Sequence, residues 1–275
     1  MTLTKEAVHK ESPDLKEGVL LECRDISISF GGIRAVSDLT FDVRENEVYG
    51  IIGPNGAGKT TVFNIITQFY KADSGAVLFR EANGNVIDLV SLKTPQVVRK
   101  GLVRSFQNIE LIRDLSLADN LLVGAHIHFE TSVFSQMLRL PAARREERVL
   151  REKAMQVLSF LGLTDRADQL AAGQPYGVLK KIELGRALLS DPRLIILDEP
   201  AAGLNDTETE DLTGLVHAIK KDYNCSILLI EHDMRFVMDI CQRICAMSFG
   251  KKLAVGTPEE IRAHPAVQEA YLGEE

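Results

Sequence analysis

The chain has no tryptophan, only 6% aromatic residues and four cysteines in 275 residues. The cysteines (Cys23, Cys225, Cys241 and Cys245) show no CxxC spacing, so neither a zinc ribbon nor a redox pair is suggested. Cys241 and Cys245 are four residues apart, on one face if that stretch is helical, and the expectation for them is a reduced core pair. Long apolar runs are missing too. The strand-like runs Leu194–Leu197 and Ile227–Ile230 span four residues each, whereas a bilayer-crossing helix needs about 20. Residues 1–17 are polar, mixed in charge and without the apolar stretch of a secretory signal, and they read as a disordered leader. Basic charge is not in excess either: the net charge of −7 argues against non-specific nucleic-acid binding, which needs a basic face. A soluble cytoplasmic protein is expected, with 45% hydrophobic residues to fill a core.

The apolar pattern divides the chain. Ile26, Ile28 and Phe30 alternate with Ser27 and Ser29, the period of a half-buried strand, and the alternation resumes at Leu39–Val43 after Gly31-Gly32. Ala76–Phe79 and Val86–Leu89 flank Asn83-Gly84, a hairpin signal. These pieces predict an antiparallel edge. From about Leu115 to Ala172 the spacing turns helical, with Ala154, Val157, Leu158 and Leu161 on one face and Gly162 as a stop. The part between Phe129 and Arg151 holds Pro141 and five arginines (Arg139, Arg144, Arg145, Arg148, Arg151). It reads as a solvated helix face with a Glu147–Arg151 pair, or alternatively as a contact for anionic lipid heads. After residue 182 helix and strand alternate, and the short apolar strands Leu194–Leu197 and Ile227–Ile230 are typical of a parallel sheet covered on both faces.

Two segments carry chemistry. Gly53-Pro54-Asn55-Gly56-Ala57-Gly58-Lys59-Thr60-Thr61 lies between the apolar run Val48–Ile52 and the helical run Val62–Ile66, the context of a nucleotide-phosphate loop. Its glycines let backbone N–H groups form a nest at a helix N-terminus, where an anion is favoured. Lys59 then reaches the β- and γ-phosphates of ATP or GTP, and the Thr60 hydroxyl can ligate Mg²⁺. Downstream, Leu194–Leu197 runs into Asp198-Glu199-Pro200. A buried strand ending in two carboxylates delivers them to the sheet edge where open α/β folds bind ligands. Asp198 is expected in the Mg²⁺ shell, and Glu199 is expected to polarise the attacking water. Gln107 stands where the helical insert begins, and His232 ends the next apolar strand. Both belong at the edge facing the γ-phosphate.

The order phosphate loop, Gln107, Asp198-Glu199, His232 resembles the ATPase subunits of ABC transporters, from about Leu20 onward. The resemblance implies an α/β fold: a P-loop NTPase core with a mostly parallel sheet, an antiparallel β edge subdomain and an α-helical insert. Residues 18–275 would be the ATP-binding domain, with 18–109 and 182–275 as the core and 110–181 as the helical subdomain. Phe30, otherwise as readily a core strand residue, would stack on adenine. Gln107 would join Thr60 and Asp198 around Mg²⁺ and couple the nucleotide to the insert, His232 would contact the γ-phosphate, and Gly203-Leu204-Asn205 would cross to a partner subunit. Ser29–Gly32, Thr60–Asn64, Arg104–Gln107, Ala202–Asn205 and the ending Ala270-Tyr271-Leu272-Gly273 are similar to the LivG-type ATPases of branched-chain amino acid importers. The ATPases of urea or amide importers and of lipid export are the neighbouring alternatives. A single phosphate loop without sustained heptads argues against a soluble, non-transport ABC ATPase. Intact Glu199 and His232 argue against a module that merely holds ATP.

One segment departs from the family pattern. The signature, LSGGQ or SYGQQ in this branch, reads Gln174-Pro175-Tyr176-Gly177-Val178-Leu179. Tyr176 and Gly177 remain, Pro175 replaces the serine, and Val178 and Leu179 replace the glutamines. In the family each ATP lies between one subunit's phosphate loop and the other's signature. The substitutions therefore imply pairing with a different ATPase chain whose signature is intact, unless the backbone at Gly177 suffices. The resemblance further implies two membrane permease subunits, an external solute-binding protein as an indirect partner, and a peripheral place on the cytoplasmic face of the inner membrane.

Overall fold

The computed structural model describes residues 14–105, 111–125 and 140–272. Two sheets form the body of the molecule. The first is antiparallel, in the order β2-β1-β4-β5, built from β1 (Val19–Phe30), β2 (Ile33–Arg44), β4 (Ser74–Arg80) and β5 (Val86–Asp88). The second runs β10-β9-β3-β8-β7-β6, from β3 (Val48–Ile52), β6 (Leu102–Arg104), β7 (Leu194–Asp198), β8 (Ser226–Ile230), β9 (Arg243–Ser248) and β10 (Lys251–Gly256). All its neighbours pair in parallel except the β9–β10 hairpin. The architecture is thus the α/β core with an antiparallel edge that the hydrophobic pattern predicts.

Side-chain alternation divides the core. From the parallel strands, Tyr49, Ile51, Ile196, Leu228 and Ile230 point into one cluster with the antiparallel sheet and α1 (Lys59–Ile66). Val48, Ile52, Ile195, Leu197, Ile227 and Leu229 point the other way, onto α6 (Asp206–Asp222), α7 (Met234–Ile240) and the helical insert. Burial on both faces is why these strands carry almost no polar residue before their C-terminal ends.

The described insert contains α3 (Leu117–Gly124), α4 (Pro141–Phe160) and the start of α5 (Tyr176–Leu188); α2 (Thr94–Arg99) precedes β6. Pro141 occupies the first turn of α4, where a missing N–H costs nothing. At its other end Gly162 (φ 69°) sits past the cap, and Leu163 N–H donates to Leu158 O (2.8 Å) while Gly162 N–H donates to Ser159 O (3.1 Å). Those two bonds satisfy the last carbonyls of the helix. Helices α3 and α5 come close because a Cβ on Gly124 would lie 2.7 Å from Arg186 O, and one on Gly185 2.8 Å from Leu121 Cδ2. Two short helices, α8 (Pro258–Ala263) and α9 (Pro265–Leu272), follow β10.

Several expectations change in detail. Cys241 and Cys245 do not share a helix face: Cys241 caps α7 and Cys245 lies within β9, because the chain must turn into the sheet beside β3. All four cysteines are free and buried. Arg151 faces Asp119 of α3 at 3.8 Å, not Glu147. The boundary at 181/182 falls inside α5. Of the expected leader, residues 1–13 and much of the arginine-rich segment before residue 140 lie outside the described residues. Within residues 14–17, Leu15 is buried with Val19 and Leu78 and its carbonyl accepts from Arg80 Nη2 (3.0 Å), while Asp14, Lys16 and Glu17 are exposed.

Candidate active site

The phosphate loop leaves β3 at Gly53 and enters α1 at Lys59. It is clamped between the first residues of β2 and the β9–β10 turn. Gly250 N–H donates to Ala57 O (3.0 Å), and Ser37 N–H donates to Gly250 O (2.8 Å). A Cβ on Gly53 would sit 2.2 Å from Met247 O, and one on Gly58 (φ 97°) 2.6 Å from Ala35 O, so only glycine fits the close approach at either point. Lys59 is buried inside the loop, its Nζ donating to Gly53 O (2.6 Å) and Pro54 O (2.9 Å). Asn55, Gly56 and Thr60 are exposed, and Pro54 and Thr61 are half-buried.

The phosphate loop follows β3, Glu199 follows β7 and His232 follows β8, and these strands lie side by side in parallel in the order β3-β8-β7. The three segments therefore share one sheet edge. Asp198, the last residue of β7, is 4% exposed. Its Oδ2 is 2.5 Å from Arg104 Nη2 on β6, while Arg104 Nη1 donates to Asn64 Oδ1 on α1 (2.6 Å). The guanidinium lies 5.7 Å from the Phe63 ring centroid. Glu199 adopts φ 49°, unusual for a residue with a side chain, and its N–H donates to Ile230 O (2.9 Å). That kink carries its Oε1 to 2.7 Å from His232 Nε2.

Glu231 lies beneath this pair and is 3% exposed. Its Oε1 accepts from Ala201 N–H (2.6 Å), and its Oε2 accepts from His232 N–H (2.9 Å) and, more distantly, Asp233 N–H (3.4 Å). Burial pushes the Glu231 carboxyl above its ordinary range, and the three N–H groups act against that rise.

Phe30 closes β1 at 44% exposure, its ring 5.2 Å from Tyr70 in an edge contact. At the signature segment, Pro175 is the N-cap of α5 with no side-chain hydrogen bond, and its carbonyl accepts from Val178 N–H (3.0 Å) and Leu179 N–H (3.2 Å). Tyr176 Oη donates to Ala202 O (3.3 Å). A Cβ on Gly177 would meet Glu208 Oε1 at 2.9 Å. Asn205 is engaged as the N-cap of α6 in a reciprocal box with Glu208. Gln107 lies outside the described residues.

Sequence reasoning missed the roles of three residues at this edge: Arg104, which pairs with Asp198, Asn64, which accepts from Arg104, and Glu231, which accepts from the backbone of Ala201 and His232. Glu231 had a visible signal, since a carboxylate directly after a buried strand repeats the Asp198 pattern. Where the core meets the insert, a groove of about 290 Å³ is lined by Phe69, Val97, Val98, Val103 and Glu183, with Arg104 in its wall. Phe69 is 72% exposed there.

Comparison with known proteins agrees with this fold. The family model described as ABC transporter matches residues 36–202, and one described as branched-chain amino acid ATP-binding cassette transporter matches residues 251–275. The chain is 43% identical over 255 residues to the high-affinity branched-chain amino acid transport ATP-binding protein LivG of Salmonella typhimurium, spanning 93% of this chain and 98% of that protein. It is 42% identical, with the same coverage, to BraF of Pseudomonas aeruginosa, which carries the same description. Among solved structures, an ATP-binding cassette of an ABC transporter in its ADP conformation superposes with a TM-score of 0.80 at 32% identity, covering 93% of this chain and 99% of that one. A nucleotide-free ATP-binding cassette gives 0.79 at 32% identity, covering 93% and 100%.

Proposed function

The chain belongs to the ABC transporter family, and from that premise we propose that it is the ATP-hydrolysing motor subunit of a branched-chain amino acid importer. The observation that carries the hydrolytic reading is the 2.7 Å contact between Glu199 Oε1 and His232 Nε2, at the sheet edge that also bears the phosphate loop. The amino acid class rests on the LivG and BraF likeness and on the family match at residues 251–275.

In this reading ATP lies along the loop Gly53–Thr61, with backbone N–H groups and Lys59 on its phosphates and Phe30 against adenine. Thr60 and Asp198 are hard oxygen donors of the kind Mg²⁺ takes, and they would hold it together with Gln107. When bound, the ion would offset charge on the transferring phosphoryl group. Glu199 accepts the proton of the attacking water, and His232 fixes the Glu199 carboxylate and reaches the γ-phosphate.

The composite sites require a second ABC ATPase. Pro175 offers neither hydroxyl nor N–H to a γ-phosphate, so the reading favours a different chain with an intact signature. Tyr176, Gly177, Val178 and Asn205 would face that partner. The apolar groove beside Arg104 would receive a short helix from each of two permease subunits, placing the chain at the cytoplasmic face of the inner membrane. An external solute-binding protein would act indirectly, and no nucleic acid takes part. Among the described residues no helix is long and apolar enough to cross a membrane.

The test is recovery of the tagged chain from detergent-solubilised native membranes. Two polytopic membrane proteins and a second ATPase with an intact signature should copurify. Recovery of soluble partners alone would overturn the transport reading.

A further inference from the structure

Glu231 occupies a position that nucleotide binding does not explain. Burying a carboxylate is costly unless its oxygens are well supplied with donors. An apolar residue would pack there at less cost if filling space were the only requirement. Instead its two oxygens divide between two loops. Oε1 takes Ala201 N–H (2.6 Å), in the segment that follows Glu199-Pro200, and Oε2 takes His232 N–H (2.9 Å). The loops it joins end in the two side chains that meet at 2.7 Å, Glu199 and His232. The first loop continues to Ala202, whose carbonyl accepts from Tyr176 Oη at the start of the signature helix (3.3 Å).

We propose that Glu231 is a positioning residue that locks the Glu199 loop to the His232 loop, and through Ala201-Ala202 ties the signature turn of this chain to its own hydrolytic pair. The inference rests on the reading of Glu199 and His232 as that pair. The partners of both Glu231 oxygens are backbone N–H groups, so it acts through the backbone it holds. Because the tie runs from Tyr176 to His232 within one chain, movement of the signature turn is felt at the Glu199–His232 contact.

The test uses the full chain in its assembled transporter and compares Glu231→Gln, Glu199→Gln and the double variant. A glutamine can accept from only one of the two loops, because its NH₂ faces the other donor. A lost charge-assisted hydrogen bond corresponds to about a tenfold change or more. Glu231→Gln is therefore expected to lower kcat about tenfold or more while the KM for ATP moves less than about threefold. In the Glu199→Gln background the same change should cost nothing further, because a residue that works through Glu199 has nothing left to position. If Glu199→Gln abolishes turnover but Glu231→Gln keeps the parental kcat, the lock is overturned and the hydrolytic reading stands. If Glu199→Gln itself turns over normally, the hydrolytic reading falls. Equal losses in kcat and nucleotide affinity in Glu231→Gln, together with a lowered melting temperature, would show general destabilisation and also overturn the lock.

Discussion

Arg104 bridges Asp198 and Asn64, with one guanidinium nitrogen 2.5 Å from Asp198 Oδ2 and the other 2.6 Å from Asn64 Oδ1. It thereby links β6, β7 and the helix that follows the phosphate loop. Its side chain also lines the apolar groove, so the same arginine touches the wall proposed to receive a permease helix and the carboxylate proposed to hold Mg²⁺.

Replacing Arg104 with Met leaves Asp198 buried without its cation, a loss of roughly 3–5 kcal/mol when one member of a buried pair is removed. The melting temperature should fall by several degrees. In the proposed reading Mg·ATP would bring a new cation to Asp198, so it should raise the melting temperature of Arg104→Met more than that of the parent. Differential scanning calorimetry with and without Mg·ATP checks both points, and equal shifts would separate Arg104 from the metal site.

Pro175→Ser combined with Val178→Gln makes two separable predictions. Pro175 is an N-cap without a side-chain acceptor, and serine at such a position stabilises a helix by about 1 kcal/mol. Stability should therefore rise in the isolated chain. Turnover of the assembled transporter should rise by about one to two decades if the serine hydroxyl is what the opposite γ-phosphate lacks. Higher stability with unchanged turnover would mean that the backbone at Gly177 is enough, and the argument for a different partner chain would fail.

Much of this architecture could be read before any coordinates. Val48–Ile52, Leu194–Leu197 and Ile227–Ile230 stand out because strands covered on both faces have no polar alternation to obscure them. Glycines that tolerate no Cβ, such as Gly53, are visible as a pattern because the close backbone approach admits no other residue. What escaped notice depends on contacts distant in sequence. The strand Leu102–Arg104 has three residues and is defined by pairing with Leu194–Ile196. Arg243 looks like a surface residue, yet it opens β9 opposite Tyr49 and is held by Asp42 and Glu47. The spacing of Cys241 and Cys245 leaves open whether they share a helix face; pairing of Arg243–Ser248 with β3 decides that they do not, while the expected reduced, buried thiols are found. Arg104 is an ordinary residue until the fold brings Asp198 to it, and the strand-end position of Glu231 does not disclose that Ala201 will be its partner.

The thiols offer a test of burial itself. Burial pushes the Cys225 and Cys245 thiols up to about 12, and Cys23 and Cys241 higher still. At pH 8 the reactive thiolate is then scarce in the folded chain. The native protein should react with a disulfide reagent much more slowly than the chain in guanidinium, where all four thiols should react at once. A thiol that reacts quickly without denaturant would place it outside the core.

Asn120 gives the last prediction, one concerning the segment that follows Gln107. It is buried in α3, its Oδ1 accepting from Ile112 N–H (2.8 Å) and its Nδ2 donating to Ile112 O (2.9 Å), Ser116 O (3.0 Å) and Leu115 O (3.3 Å). One side chain thus satisfies several backbone groups of a stretch that has no regular structure of its own. Asn120→Leu removes all these bonds and leaves the backbone groups of Ile112 facing an apolar side chain, a cost of about 1–3 kcal/mol for each buried group left unpaired. The variant should lose roughly 2–4 kcal/mol in urea unfolding. The loss should be concentrated in the insert, so that amide exchange at Leu115–Leu122 quickens before exchange in β3 or β8 changes. If exchange quickens equally in β3, the segment is part of the core's cooperative unit and Asn120 is not a local brace.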